Sequence, residues 1–312
     1  MLDRANSLAL KALAPPASSP PPPGARPGKA PETEAQAAFL VGAALARLDA
    51  VVRENPPWGG VWRNRLALQA AVASVARSNR AEDATALRDA FHLTRPGADP
   101  GPAGRSLLAW RALTAASPTR WRAQIERAAY ALGAPHKEAL RSAVEAAAAC
   151  ADGDQLAPFA AARCHQRAQQ ALAPSAGGEL LAAWLADAVL ALKLKWPFAL
   201  PLLSLSVVRR SVARPAGEGA LLFAYARAAT QAADLAVDLA RRSQKLAEVA
   251  PKLRAKGAGA ALQALLEEDS LSTATKIPKL SERGARRLFE RLVALGAVRE
   301  LTGRATFRLY GL

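Results

Sequence analysis

The chain has few of the residues that build disulfide frameworks, metal clusters or β-sheets. Its 312 residues include two cysteines, three histidines and one methionine, and aromatic residues make up 5%. Two cysteines give no disulfide framework and suit a reducing compartment, so we expect a cytoplasmic protein. Apolar and polar residues do not alternate persuasively before about Val298, and such alternation is the signal of a half-buried strand. The sequence therefore predicts a mainly α-helical fold.

Long apolar runs and catalytic motifs are also missing. A membrane-spanning helix needs about 20 mostly apolar residues, whereas the best candidate, Trp196–Val208, is shorter and contains Pro197 and Pro201. The chain has no Walker A loop, no nucleophile elbow, no His-Glu-x-x-His and no dinucleotide-binding fingerprint. We therefore predict no membrane partner, no enzymatic activity and no cofactor.

The candidate metal ligands in the sequence are Cys150, Cys164 and His165. Their spacing fits no common zinc pattern. Cys164 and His165 are adjacent, so on a helix their side chains point about 100° apart. The sequence favours a small buried cysteine and a surface histidine, and it predicts no metal ligand.

Acidic residues offer a second candidate chemistry. Asp234 and Asp238 lie one helical turn apart, which suits a metal or acid–base catalysis, but Arg241 and Arg242 follow directly and favour ion pairing. Asp187 lies in an apolar stretch, where a buried carboxylate needs a partner.

The loop Pro96–Arg105 is rich in proline and glycine. We interpret it as a structural turn and not as an anion-binding loop, because no strand precedes it.

Alanine and positive charge dominate what is present. Alanine is the strongest helix former and loses no side-chain entropy on folding. Lysine and arginine number 42 against 26 acidic residues, giving a formal net charge of +16. Such a balance favours a polyanionic partner, and nucleic acid is the first candidate.

Composition divides the chain into three parts. Residues 1–32 form a proline-rich arm, expected to be disordered because Pro20–Pro23 exclude helix. Residues 33–250 form an alanine-rich multi-helix bundle, and residues 251–312 form a compact charged unit. Predicted bundle helices cover Thr33–Glu54, Val61–Ser78, Glu82–Thr94, Ser106–Ala115, Thr119–Leu132, Lys137–Ala151, Pro158–Leu172, Glu179–Lys195 and Gly219–Ala250.

The last part has the order of elements of a small winged helix-turn-helix. Ser281 is a good N-cap for a third helix, and Gly303 suits a hairpin turn at Thr302–Ala305. Residues 251–312 are therefore predicted to fold as that module. Its predicted elements are helices at Gly259–Glu268, within Ser272–Ile277, and at Glu282–Leu295, and strands at Val298–Leu301 and Thr306–Tyr310.

Basic residues of this unit are the candidate binding site. Ala285, Leu288, Leu292 and Leu295 form one apolar stripe on the third helix, and the helix arginines lie off it. Such a helix enters the major groove by its N-terminal half, where arginine reaches bases and phosphates. The predicted nucleic-acid-binding residues are Lys276, Lys279, Ser281, Arg283, Arg286, Arg287 and Arg291, with Arg304 and Arg308 on the hairpin.

The predicted partner is double-stranded DNA. We expect a DNA-binding protein, with a transcriptional role or a role in plasmid or chromosome maintenance. The alternative is a protein-interaction subunit, because winged helices also serve docking and dimerisation. A protein partner or a homo-oligomer then takes the place of DNA.

Several stretches of the chain have a recognisable pattern, namely Asn55–Trp58, Trp62–Leu68, Asp99–Arg105, Trp196–Leu203, Leu292–Arg304 and Tyr310–Leu312. They resemble a bacterial family known as domain of unknown function 1403. The resemblance covers the chain from about Thr33 onward and implies no activity, cofactor or catalytic residues. It favours treating body and tail as one unit.

Overall fold

The computed structural model describes residues 25–95, 97–134, 137–207, 217–304 and 306–312. Within them the chain forms twelve α-helices and one three-stranded sheet, so the mainly α prediction is confirmed. Most of the predicted proline-rich arm lies outside the described residues. The elements are α1 (Glu34–Glu54), α2 (Gly59–Arg77), α3 (Ala84–Leu93), α4 (Gly101–Ala115), α5 (Trp121–Leu132), α6 (Lys137–Asp152), α7 (Ala157–Leu172), α8 (Ala176–Lys193), α9 (Leu202–Val207), α10 (Glu218–Val249), α11 (Ala258–Glu267), β1 (Leu271–Ser272), α12 (Glu282–Ala294), β2 (Arg299–Glu300) and β3 (Leu309–Gly311).

The described residues divide into two compact units. The larger unit comprises residues 25–53 and Leu66–Ala233, and the C-terminal unit comprises Glu54–Arg65 and Asp234–Leu312. Helices α2 and α10 each contribute to both units. Composition places a domain boundary at residue 251. That residues 251–312 fold independently stays a prediction.

Helix α1 begins with a side-chain cap that the sequence Thr33-Glu-Ala-Gln36 encodes. The backbone N–H of Gln36 donates to Thr33 Oγ1 at 3.2 Å, and the Glu32 N–H donates to Gln36 Oε1 at 2.8 Å. These bonds satisfy amide groups that a helix N-terminus leaves without intrahelical partners. Val41, Leu48 and other apolar side chains of α1 are buried.

By length and apolar composition alone, α1 could cross a membrane, the one helix among the described residues that passes this test. The expectation that no run is long enough was therefore too strict. Buried residues make up 39% of its most apolar window, and a core helix of a globular unit passes the same test. That the chain has no membrane partner stays a prediction.

Helix α8 is the centre of the larger unit. All its residues from Gly177 to Ala191 are buried except Glu179, and it packs against α4, α5, α6, α7 and α9. A helix that is apolar on every side can be stable only when neighbours cover every side. The Trp184 indole N–H also donates to the Ala109 carbonyl oxygen of α4 at 3.3 Å.

Close backbone approach explains a glycine at the start of α8. A Cβ atom on Gly177 would lie 2.1 Å from the carbonyl oxygen of Gly133, which ends α5 in the left-handed conformation. No side chain fits in that gap. Ser175 caps α8 by accepting the Gly178 N–H at 2.8 Å, so the helix begins earlier than the predicted Glu179.

The predicted turn at Pro96–Arg105 is only partly correct. Helix α4 already begins at Gly101, after Asp99 Oδ1 accepts the Gly101 N–H at 3.0 Å. Pro102 is tolerated there because the first turn of a helix needs no N–H donor. Arg105 is paired with Asp99, so neither group faces an anion.

Asp187 is a fully buried carboxyl group in the middle of α8. It accepts the Leu203 N–H at 2.8 Å and the Ser204 hydroxyl at 3.1 Å, and it thereby caps the short helix α9, which the sequence did not predict. Burial raises its pKa to about 8, although these hydrogen bonds act in the opposite direction. The partners that this buried carboxyl group needs are therefore the N-terminal backbone of α9 and the Ser204 hydroxyl group.

We predict that Asp187 makes folding stability fall with rising pH. Its folded-state pKa lies above the ordinary value of 3.8, so ionisation favours the unfolded chain, and stability present below about pH 4 is lost as pH rises toward 8. Asp187→Asn should remove this loss. Urea unfolding at pH 5 to 8 should show the variant gaining on the wild type by up to about 1.4 kcal/mol per pH unit.

The difference between the two proteins is the quantity to measure, because His165 titrates in both. Parallel stability curves for wild type and Asp187→Asn across this range would contradict the assignment.

The C-terminal unit contains a small antiparallel sheet with β3 in the centre, in the order β1-β3-β2. Leu271 pairs with Tyr310, and Arg299 pairs with Gly311. Strand β1 was not predicted. The other two strands, β2 and β3, exist but are shorter than predicted. Strand β3 begins only at Leu309, because Phe307 has a φ of 53° and residues 306–308 are not in a strand.

The predicted second helix within Ser272–Ile277 is wrong. The Ser272 N–H donates to Thr275 Oγ1 at 3.1 Å, and the Thr275 N–H donates back to the Ser272 carbonyl oxygen at 3.1 Å. Such local bonds compete with helix formation. Pro278 also disfavours helical geometry at Ile277, and the segment forms turns joined by an Ile277–Leu280 bridge.

Candidate nucleic-acid interface

Helix α12 has one buried face and one exposed face. Ser281 caps it as predicted, accepting the Gly284 N–H at 3.2 Å. Ala285, Leu288 and Leu292 are buried, in agreement with the predicted stripe, whereas Leu295 is only partly buried. The helix is therefore held by its apolar side.

Phe289 belongs to that buried face, although it was not in the predicted apolar stripe. Its ring stacks on Tyr310 of β3, with centroids 4.8 Å apart. The spacing of Ala285, Phe289 and Leu292 at four and three residues could have revealed it. This stack joins α12 to the central strand of the sheet.

Four arginines of α12 are exposed, namely Arg283, Arg286, Arg287 and Arg291. With 3.6 residues per turn, Arg283 and Arg287 lie about 160° from Ala285 in opposite directions around the helix. Across the part of the chain that the structure describes, none of the four has an acidic group within 4 Å. Their positive charge is directed at solvent.

The turn before α12 adds two exposed lysines. Lys276 and Lys279 flank the buried Ile277, and Lys279 has a φ of 61°. This left-handed residue lets the chain reverse between Pro278 and Leu280. The predicted flanking cations therefore lie immediately N-terminal to the arginine-bearing helix.

The loop between β2 and β3 places its two arginines differently. Arg304 is exposed, while Arg308 is partly buried, with its Nε 3.1 Å from the Arg304 carbonyl oxygen and 3.9 Å from Glu300 Oε1. Gly303 has a φ of 61°, as its place in the turn predicts. Of the two, Arg304 is the more exposed.

The start of α2 anchors this unit from a distant part of the sequence. Asn64 Nδ2 donates to the Glu267 carbonyl oxygen at 2.8 Å, and Arg65 pairs with the buried Asp269 and donates to the Leu312 carbonyl oxygen at 3.2 Å. These contacts fix the segment between α11 and β1. From the sequence alone, the stretch Trp62–Leu68 has a family resemblance but no predicted role.

A glycine makes that approach possible. A Cβ atom on Gly60 would lie 2.7 Å from the Cα atom of Glu267. The backbone of α2 therefore packs directly against the end of α11, leaving no room for a side chain.

The candidate metal ligands Cys150, Cys164 and His165 are all buried. Among the described residues, no three His, Cys, Asp or Glu side chains form a group that could hold a metal. Burial lowers the pKa of His165 to about 4 and raises that of Cys164. Both cysteines are buried. The expectation of a surface position for His165 was wrong, because its helix α7 packs between α6 and α8.

One member of the acidic pair on α10 behaves as the sequence favoured. Asp238 pairs with Arg242 one turn later, at 2.7 Å. Such an i, i+4 pair on an exposed helix contributes about 0.3–0.5 kcal/mol.

Residues 15–312 match a family model described as protein of unknown function, DUF1403. The chain belongs to that family, and the resemblance is confirmed over nearly the whole sequence. No curated protein matches the chain.

We predict that Arg65→Ala destabilises the C-terminal unit by about 3 kcal/mol, because it leaves the buried Asp269 carboxylate without this guanidinium. Chemical denaturation followed by tryptophan fluorescence measures the change, since Trp58 and Trp62 belong to this unit.

Lys245→Ala is the matched control. Its partner Glu248 lies 3.8 Å away and both side chains are about half exposed, so removal should cost well under about 1 kcal/mol. Equal losses for the two variants would show that the Arg65 contacts do not anchor the unit.

Proposed function

We propose that the chain binds double-stranded DNA through a winged helix formed by residues 258–312. The order α11, β1, turn, α12, β2, loop, β3 supports this fold, as does a sheet with the last strand in the centre. A turn at residues 273–280 takes the place of the second helix. In this interpretation α12 is the recognition helix and residues 301–308 are the wing.

One observation carries the proposal, which is the arginine face of α12, whose four arginines form no ion pair with any described residue. Like charges one helical turn apart repel one another, yet Arg283, Arg287 and Arg291 follow one another at that spacing. Guanidinium groups bind phosphate and the guanine O6 and N7 atoms in bidentate geometry. An α-helix fits the width of the B-DNA major groove.

The proposed contacts differ by position. The N-terminal half of a recognition helix contacts base edges, so we assign Arg283 and Arg287 to the bases. Arg286 and Arg291 lie further round the helix and suit the phosphates on the groove walls. Lys276, Lys279 and Ser281 flank one backbone, and Arg304 suits an adjacent groove, with Arg308 supporting the wing through Glu300.

We predict that Arg283→Gln with Arg287→Gln weakens duplex binding at least tenfold, because a lost bidentate base contact costs about 1–3 kcal/mol. The side chains are exposed, so folding should be unchanged. Fluorescence anisotropy with labelled duplex DNA at several salt concentrations measures the affinity, and circular dichroism checks the fold.

Arg120→Gln with Arg127→Gln is the control, since both side chains are exposed in the larger unit and the net charge falls equally. Equal losses for the two double variants would attribute binding to net charge. Absence of duplex binding by the wild type at low salt would remove the proposal.

A protein-docking role is the second candidate, and one exposed apolar side chain on α12 favours it. Val293 is 38% exposed, which suits a partner chain or a second copy better than a phosphate backbone. Stoichiometric copurification of a protein, together with no affinity for DNA, is the result that supports this role. For a DNA-binding protein we propose a transcriptional role, or a role in plasmid or chromosome maintenance, in the cytoplasm.

A further inference from the structure

Three exposed cations precede α11 in the segment Lys252–Lys256. Lys252, Arg254 and Lys256 are all exposed, while Leu253 between the first two is buried. Leu253 has extended backbone angles, with φ −98° and ψ 125°. Because neighbouring side chains of extended chain point to opposite sides, the buried Leu253 directs its two cationic neighbours outward.

The segment lies beside the turn that leads into α12. A Cβ atom on Gly257 would lie 2.8 Å from the Pro278 carbonyl oxygen, 2.8 Å from Leu280 Cβ and 3.1 Å from the Lys279 carbonyl carbon. The backbone after Lys256 is therefore in direct contact with the backbone around Lys279. Two basic segments that are more than 20 residues apart in sequence are neighbours in the fold.

Two acidic residues of the C-terminal unit are paired elsewhere, because Asp269 contacts Arg65 and Glu300 lies 3.9 Å from Arg308. Lys252, Arg254 and Lys256 have no acidic group within 4 Å among the described residues. Three exposed cations at alternate positions, without an ion pair to any described residue, suit a regularly spaced polyanion.

We propose that Lys252, Arg254 and Lys256 form a backbone-binding arm that contacts the phosphates of the duplex beside the site held by α12. This inference rests on the proposed function and extends it to residues outside the predicted site. The arm continues through Lys279 to the N-terminus of α12. It contributes affinity without sequence preference, because phosphate contacts carry no base information.

The test uses the full chain with Lys252→Gln, Arg254→Gln and Lys256→Gln combined. Each phosphate contact contributes about 0.9 to the slope of log affinity against log salt concentration. Losing three contacts should make the slope shallower by about 2–3 and weaken binding at least tenfold at low salt. The loss should be the same for every duplex sequence tested.

The control carries the same change of charge in the larger unit, with Arg120→Gln, Arg127→Gln and Lys137→Gln, all exposed positions. It should leave the slope within about one of the wild type. An arm variant with an unchanged slope, or one no different from this control, overturns the arm and leaves the proposed function in place. Failure of the wild type to bind any duplex overturns both.

Lysine modification gives a second readout that is independent of affinity. Bound duplex should protect Lys252, Lys256 and Lys279 from an amine-reactive reagent, while the exposed Lys137 of the larger unit should react equally with and without DNA. Full reactivity of Lys252 and Lys256 in a saturated complex would overturn the arm.

Discussion

The pairing of Arg65 with Asp269 is the contact on which the C-terminal unit depends. Asp269 lies in the short link between α11 and β1, and β1 pairs with the central strand β3. Tyr310 of β3 stacks on Phe289 of α12. A residue near the start of α2 is therefore linked, through one strand pairing and one ring stack, to the orientation of the arginine face. The family motif that contains Arg65 has a physical role in this arrangement.

In the C-terminal unit, the apolar side chains of α12 are buried and its arginines are exposed. Apolar side chains of α12 face the sheet, the acidic Asp269 and Glu300 are paired internally, and the arginines of α12 remain without acidic partners among the described residues. Each of these pairs cancels one acidic and one basic charge, so the exposed arginines of α12 supply positive charge that the pairs do not consume. The proposed DNA contact and the proposed arm both follow from this division. The larger unit is different in kind, since its central helix α8 is buried on every side.

Local patterns in the sequence predicted most helices and the exposed arginines. The N-cap at Ser281 and the stripe through Ala285, Leu288 and Leu292 depend on residues close in the chain, which is why they were recognisable. The nine predicted bundle helices all exist, with ends displaced by a few residues. Gly303 was identified as a turn residue because its positive φ is a local requirement.

Features set by distant contacts could not be predicted in the same way. Strand β1 is two residues long and exists because β3 pairs with it, so no alternation signals it. The second tail helix, predicted within Ser272–Ile277, does not form, because Pro278 and the Ser272–Thr275 bonds favour a turn. Helix α9 depends on the buried Asp187, and the approach of Gly257 to Lys279 depends on tertiary packing.

A crystal structure of the full chain bound to a short duplex tests the central claim most directly. The account predicts α12 lying in the major groove, with the guanidinium groups of Arg283 and Arg287 within hydrogen-bond distance of base edges. A complex in which α12 faces solvent or packs against a second copy, while DNA contacts another surface, would contradict it.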